Sequence, residues 1–221
     1  MAGNPAMLSR AARAEKYSIL DRPGWEVLNW SYYDYQVYAA AGQTVLTFFQ
    51  TPKGQGGRTL RDTNFPGAGA LPSGYEFFVQ SFSVLFIPGV APAANPPRGA
   101  PTVADFDFVR DVWTVHNDGF AVFRLLNKNL IEGGPIGIFP PDWRLMGFAA
   151  VSDATTAAAD LLTVYNYAAS GGKVWRMNNQ LIESTVSFDV SLNWNAAIAL
   201  PSVTAGRIGV YLNGALRRKI Q

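Results

Sequence analysis

The feature that most constrains this chain is a long irregular link between two apolar runs. The first run, Thr44-Val-Leu-Thr-Phe-Phe-Gln50, breaks into Thr51-Pro-Lys-Gly-Gln-Gly-Gly57. An arm follows, Arg58-Thr-Leu-Arg-Asp-Thr-Asn-Phe-Pro66, then Gly67-Ala-Gly-Ala-Leu-Pro-Ser-Gly74, before the second run, Tyr75-Glu-Phe-Phe-Val-Gln-Ser-Phe-Ser-Val-Leu-Phe86. Both runs carry the Val, Phe and Tyr enrichment of strands, and the link is too rich in Gly and Pro for a helix. Such a link inside a compact domain predicts a working segment, a binding arm or a contact surface.

The rest of the chain repeats the pattern of strands divided by turns. Trp25 to Tyr38 reads as one or two strands, with Asp34 and Gln36 on a wet face between aromatics. The proline-rich stretch 88–101 reads as an extended surface loop. Ala104 to His116 resumes an alternation, Asn117-Asp-Gly119 signals a hairpin, and Phe120 to Leu126 supplies the partner strand. Leu130 to Arg144 reads as a short strand and a loop. Leu145 to Val151, Thr163 to Tyr167, Lys173 to Met177, Glu183 to Trp194 and Arg207 to Leu212 are further strands, the cleanest alternation being Val186, Phe188, Val190 and Leu192. Two short helices are expected, over residues 6–18 and 154–162, the second capped by Ser152 or Asp153. Eight to ten strands with long loops and no repeat predict an all-β fold, an antiparallel two-sheet sandwich of the single jelly-roll type.

Length and charge fit that expectation. The 221 residues suit one domain, since sandwiches reach this size as single units. Charged residues make up only 15% against a usual quarter, which predicts weakly charged faces suited to burial against copies of the same chain. Of 18 basic and 16 acidic residues the two ends hold six and one, so the body carries 12 basic against 15 acidic. The expected organisation is a basic N-terminal arm over 1–20, a sandwich over 21–213 and a basic tail over 214–221. Arg10, Arg13 and Lys16, spaced by three, would share one helical face, and Arg217, Arg218 and Lys219 close the chain. Basic ends on a mildly acidic body predict an anionic partner, nucleic acid or a phospholipid surface. No apolar run approaches the ~18 residues of a membrane span, and the first residues lack the layout of a secretion signal.

Motifs for chemistry are sparse. With no cysteine, disulfides, thiolate metal sites and cysteine catalysis are excluded. The lone His116 has no Gly-x-Ser-x-Gly elbow to serve, so a serine triad is not expected. Asp105, Asp107 and Asp111 suggest calcium, yet their alternation with Phe106 and Phe108 puts them on a strand face rather than in a converging loop. Glu76, Glu132 and Glu183 could pair as a glycosidase acid and nucleophile, with solvated surface the simpler reading. Trp25, Trp30, Tyr32, Tyr33 and Tyr35 could line a sugar platform, which leaves a carbohydrate-binding module of phage-fibre or lectin type as the rival function. No cofactor is expected.

The order Thr-Phe-Phe-Gln50, Gly-rich turn, Asp62-Thr-Asn64, Gly-Ala-Leu71-Pro72 and Phe77-Phe-Val-Gln-Ser-Phe-Ser-Val84 resembles jelly-roll major capsid proteins of small tailless icosahedral bacteriophages. The later Gly134-Pro-Ile-Gly-Ile-Phe-Pro-Pro141 is similar in kind, and the resemblance spans about half the chain. It implies a non-enzymatic coat subunit of the virion, assembling in the host cytoplasm with copies of itself and other virion proteins around a genome, in some phages over an internal membrane. Many such phages use a double jelly roll, whereas 221 residues without a repeat accommodate one. On this reading Arg58, Leu60, Arg61, Asn64, Phe65 and Leu71 are the expected subunit contacts, the 88–101 loop comes second, and the basic ends face nucleic acid or lipid.

Overall fold

The alternation at the end of the chain becomes a strand with one dry face. Phe188, Val190, Leu192 and Trp194 of strand β9 (Phe188–Trp194) are buried, and the three residues between them are half-buried. The computed structural model describes residues 23–89, 107–141, 144–152, 161–168 and 174–220, the spans 144–152 and 161–168 as backbone. The expected helix over 6–18, residues 154–160 of the helix expected over 154–162, the body of the 88–101 loop, and Arg10, Arg13 and Lys16 lie outside the described residues; Leu161 and Leu162, the expected end of that second helix, open a strand instead.

The remaining elements, in chain order, are β1 (Trp25–Tyr38), β2 (Val45–Phe48), β3 (Tyr75–Ile87), α1 (Asp107–Asp118), β4 (Gly119–Leu125), β5 (Lys128–Pro135), β6 (Arg144–Ser152), β7 (Leu161–Ala168), β8 (Trp175–Ile182) and β10 (Gly206–Lys219). One sheet has the order β1-β10-β3-β8 and a second the order β2-β9-β4-β5, with every neighbouring pair antiparallel. Counted along the chain, the eight sandwich strands lie as first, eighth, third and sixth in one sheet and second, seventh, fourth and fifth in the other. That is the jelly-roll order, two interleaved Greek keys. The antiparallel hairpin β6–β7 is inserted between β5 and β8.

Aromatic side chains join the two sheets. Phe82 of β3 stacks on Phe123 of β4 at 6.3 Å and meets Phe139 edge-on at 5.0 Å. Tyr38 of β1 meets Trp194 of β9 at 5.0 Å. All five rings are buried, and most of the other buried apolar residues join them in one cluster. Glycine is required where β10 bulges against β3: a Cβ at Gly214 would lie 1.9 Å from the Phe78 carbonyl oxygen.

Three local expectations are corrected. The segment expected as a strand over Ala104 to His116 is helical from Asp107, because Phe108, Asp111 and Val115 recur at helical spacing and all three are buried. No hairpin forms at Asn117-Asp-Gly119; the helix ends there and Gly119 opens β4, where a Cβ would collide with Ile136 and the Trp194 indole. The basic residues expected as a C-terminal tail are the last residues of β10, with Arg217, Arg218 and Lys219 opposite Val27, Glu26 and Trp25.

The inter-sheet rings set the stability. Phe82→Ala should cost about 3–5 kcal/mol in a urea unfolding titration, whereas Val203→Ala, at a side chain 81% exposed, should stay within about 0.5 kcal/mol of the parent.

Candidate assembly surface

The arm that links β2 to β3 is docked on its own sandwich. Edge strand β1 presents outward backbone groups between Ser31 and Tyr35, and the arm pairs with them. The Tyr35 N–H donates to the Asp62 carbonyl at 2.7 Å. Asn64 imitates a strand: its Oδ1 accepts the Tyr33 N–H at 2.9 Å and its Nδ2 donates to the Ser31 carbonyl at 2.7 Å. One residue later, Phe65 enters the open end of the core. There its ring meets Tyr32 at 5.2 Å, Phe49 at 5.3 Å and Phe188 at 5.4 Å, joining both sheets. Leu71 is also buried, and its carbonyl accepts the Thr185 N–H at 2.9 Å.

Asp34 fastens the arm from beneath. The expectation of a wet Asp34 is overturned: Tyr32, Asp34 and Tyr38 share the core-facing phase of β1, and Asp34 is fully buried. Its carboxylate accepts the Phe49 N–H at 2.6 Å and is ion-paired with Arg58, whose guanidinium also donates to the Tyr35 carbonyl at 2.7 Å. Phe49 holds a left-handed φ of 64°, a costly conformation for an aromatic residue that this bond and its buried ring maintain. Burial pushes the Asp34 carboxyl up to about 6, opposed by the Phe49 N–H and the Arg58 charge. Arg207 clamps the arm from above, donating to the Arg61 carbonyl at 2.9 Å and to Asp62 at 3.2 Å while lying 4.7 Å over the Tyr35 ring.

Of the six residues expected to contact neighbouring subunits, Arg58, Asn64, Phe65 and Leu71 therefore make contacts within the chain. The side chains of Leu60 and Arg61 point to solvent. At the C-terminal end Arg217 is ion-paired with Glu76 and lies between the Trp25 and Phe78 rings at 5.4 and 5.3 Å. Arg218 is ion-paired with Glu26, and the Lys219 ammonium lies 5.7 Å over Trp25. Trp25 stands opposite Lys219 in the sheet, so the segment carrying Arg10, Arg13 and Lys16 joins the sandwich where these cations lie.

The other sequence candidates disperse. The five aromatics of the possible sugar platform divide between core and surface: Tyr32 is buried, whereas Tyr33 and Tyr35 cluster with Tyr211 on the outer sheet face. Asp107 pairs with Arg110 at 2.7 Å, and the buried Asp111 accepts the Ser202 N–H at 3.0 Å, tying α1 to the loop before β10. His116 Nδ1–H donates to the Val112 carbonyl at 2.8 Å. No cluster of three His, Cys, Asp or Glu that could hold a metal occurs among the described residues. Of the three glutamates, Glu132 and Glu183 are exposed and Glu76 serves Arg217.

Large apolar side chains left in solvent were not legible as such. Trp113 is 69% exposed on α1, with Val109 one turn before it, and Val203 projects from the loop that Asp111 holds. The end of the sandwich that carries α1 thus exposes apolar side chains beside Arg110 and Asp118, and the opposite end carries Arg217, Arg218 and Lys219. No family model, no curated protein and no solved structure matches this chain.

Asp34 makes stability depend on pH. Its native carboxyl holds a proton more tightly than the ordinary value of 3.8, so its contribution is fully present below pH 3.8 and is lost as pH rises through about 6. The difference in urea unfolding free energy between the parent and Asp34→Asn, measured from pH 4 to 8, should fall as pH rises through about 6.

Proposed function

We propose that this chain is a structural subunit, the coat protein of a small icosahedral virus, which assembles with copies of itself into a shell around a genome and carries no catalytic activity. The observation that carries the reading is the set of large apolar side chains left in solvent by a sandwich whose own core is complete, Trp113 foremost. Trp113 is 69% exposed although most of the described Phe side chains are buried, and exposed apolar side chains of this size mark protein contacts. The low charge content and the likeness to phage capsid sequences point the same way.

The jelly roll by itself says little about function, because one fold hosts many activities. Its mechanical character does suit a shell. Cross-sheet rings and the docked arm make a stiff block, and closed assemblies repeat each contact under symmetry, so modest contacts accumulate. In this reading the apolar end with Trp113, Val109 and Val203, together with the outward Leu60 and Arg61, meets neighbouring subunits. The cationic end, which the 1–20 segment joins, faces nucleic acid or lipid, with Arg10, Arg13, Lys16 and Lys219 offering charge to phosphates.

Electron microscopy and sedimentation of the purified chain over a range of concentration and salt test this. Capsomers or closed particles are the expected outcome. Trp113→Asp should abolish them while leaving the unfolding free energy from a urea titration within about 0.5 kcal/mol of the parent. A monomer under every condition overturns the reading.

A further inference from the structure

A second surface lies away from both ends, where the edge strands β5 and β8 of the two sheets face each other. They enclose an open cleft of about 280 Å³. Lys128 and Asn129 line one wall; Arg176, Asn178 and Gln180 line the other. The floor is apolar, made by Leu130 and Met177, which pack against the core. Trp175 stands at the rim, 43% exposed, its orientation fixed by an edge contact with Phe139 at 5.3 Å. Among the described residues the cleft is lined by two cations, three side-chain amides and an indole, with no carboxylate. Asn129 is itself held by the Arg124 guanidinium, which donates to its Oδ1 at 3.2 Å.

Each part selects for ligand chemistry. Two cations with no acid in the described lining disfavour cationic ligands and favour a polyanion. A fixed, half-exposed indole offers a flat apolar face, which a bare phosphate or sulfate cannot use and an unpaired base can. The amides supply donors and acceptors for base edges, and the volume holds about one nucleotide. We infer that the β5–β8 cleft binds single-stranded nucleic acid, a base stacking on Trp175 and its flanking phosphates meeting Lys128 and Arg176. The inference deepens the coat-protein reading, giving the genome a contact on the folded body in addition to the basic ends.

The test is a fluorescence-anisotropy titration of a short labelled oligothymidine with the full chain, at concentrations where sedimentation shows it unassembled. The parent should bind saturably at low salt. Trp175→Ala should weaken binding about tenfold or more, and Trp175→Phe should retain most of it. The double variant Lys128→Ala with Arg176→Ala should reduce the slope of log affinity against log salt by about 1.4, the share of two phosphates on a single strand. Thermal unfolding of each variant separates lost binding from lost fold. No binding by the parent overturns the inference, as do folded variants that bind like the parent. Competition by inorganic polyphosphate or an acidic polysaccharide as strong as that by the oligonucleotide also overturns it, because neither offers a base to stack. Particles from a chain that binds no oligonucleotide would sink this inference alone. Cleft-dependent binding by a chain that never assembles would sink the coat reading and leave the cleft assigned.

Discussion

Two four-stranded sheets laid face to face leave edge strands with unpaired backbone groups and two ends through which water reaches the core. How this chain closes those openings governs most of its other structure. The fourteen-residue strand β1 would otherwise be a long exposed edge, the kind that pairs with any passing strand. The arm between β2 and β3 covers its middle, with Asn64 standing in for a strand residue and Phe65 stoppering the core. Asp34 holds this closure at a depth where an unpaired carboxylate would be costly, and Arg58 and the Phe49 amide satisfy it. Remove the arm, and an edge, an end and a buried charge are exposed together.

This closure changes what the long link means. Its length and composition suggested a reach toward neighbouring molecules, yet most of it serves the sandwich from which it springs. What it offers outward is the turn over 53–57 and, beside it, Thr59, Leu60 and Arg61. Trp113, Val109 and Val203 stand exposed on α1 and its neighbouring loop, and further large apolar side chains, among them Leu126, Val37 and Val45, are exposed elsewhere on the sandwich. Val109, Trp113 and Val203 project where α1 caps the sandwich, and Arg217, Arg218 and Lys219 lie where β1 begins beside the end of β10, the two arginines paired with Glu76 and Glu26.

Much of the sandwich could be read in the residues. β9 and β3 were plain because alternation or a dense apolar run leaves few other options. The phase of β1 was misread because Tyr33 and Tyr35 looked like the dry face. Tyr32 and Tyr38 bracket Asp34 in the opposite phase, and that spacing was the available clue. α1 was hidden by four alternating residues at its start and by Val and Trp, which prefer strands in isolation; burial at helical spacing against Trp194 and Ile136 decided otherwise. Nothing local signals that Trp113 and Trp175 stay in solvent, or that edge strands from two sheets frame a cleft. Those properties come from which strands become neighbours across more than forty residues of chain, and β10, neighbour to both β1 and β3, is the extreme case.

The place of β10 has a consequence for the timing of folding. It lies between β1 and β3, so these two, though made early, cannot share a sheet until a strand roughly 170 residues after β1 is inserted between them. Loop closure over that distance makes completion of this sheet wait for β10. A nascent chain therefore holds β1 and β3 apart, each with an open edge, until β10 has left the ribosome.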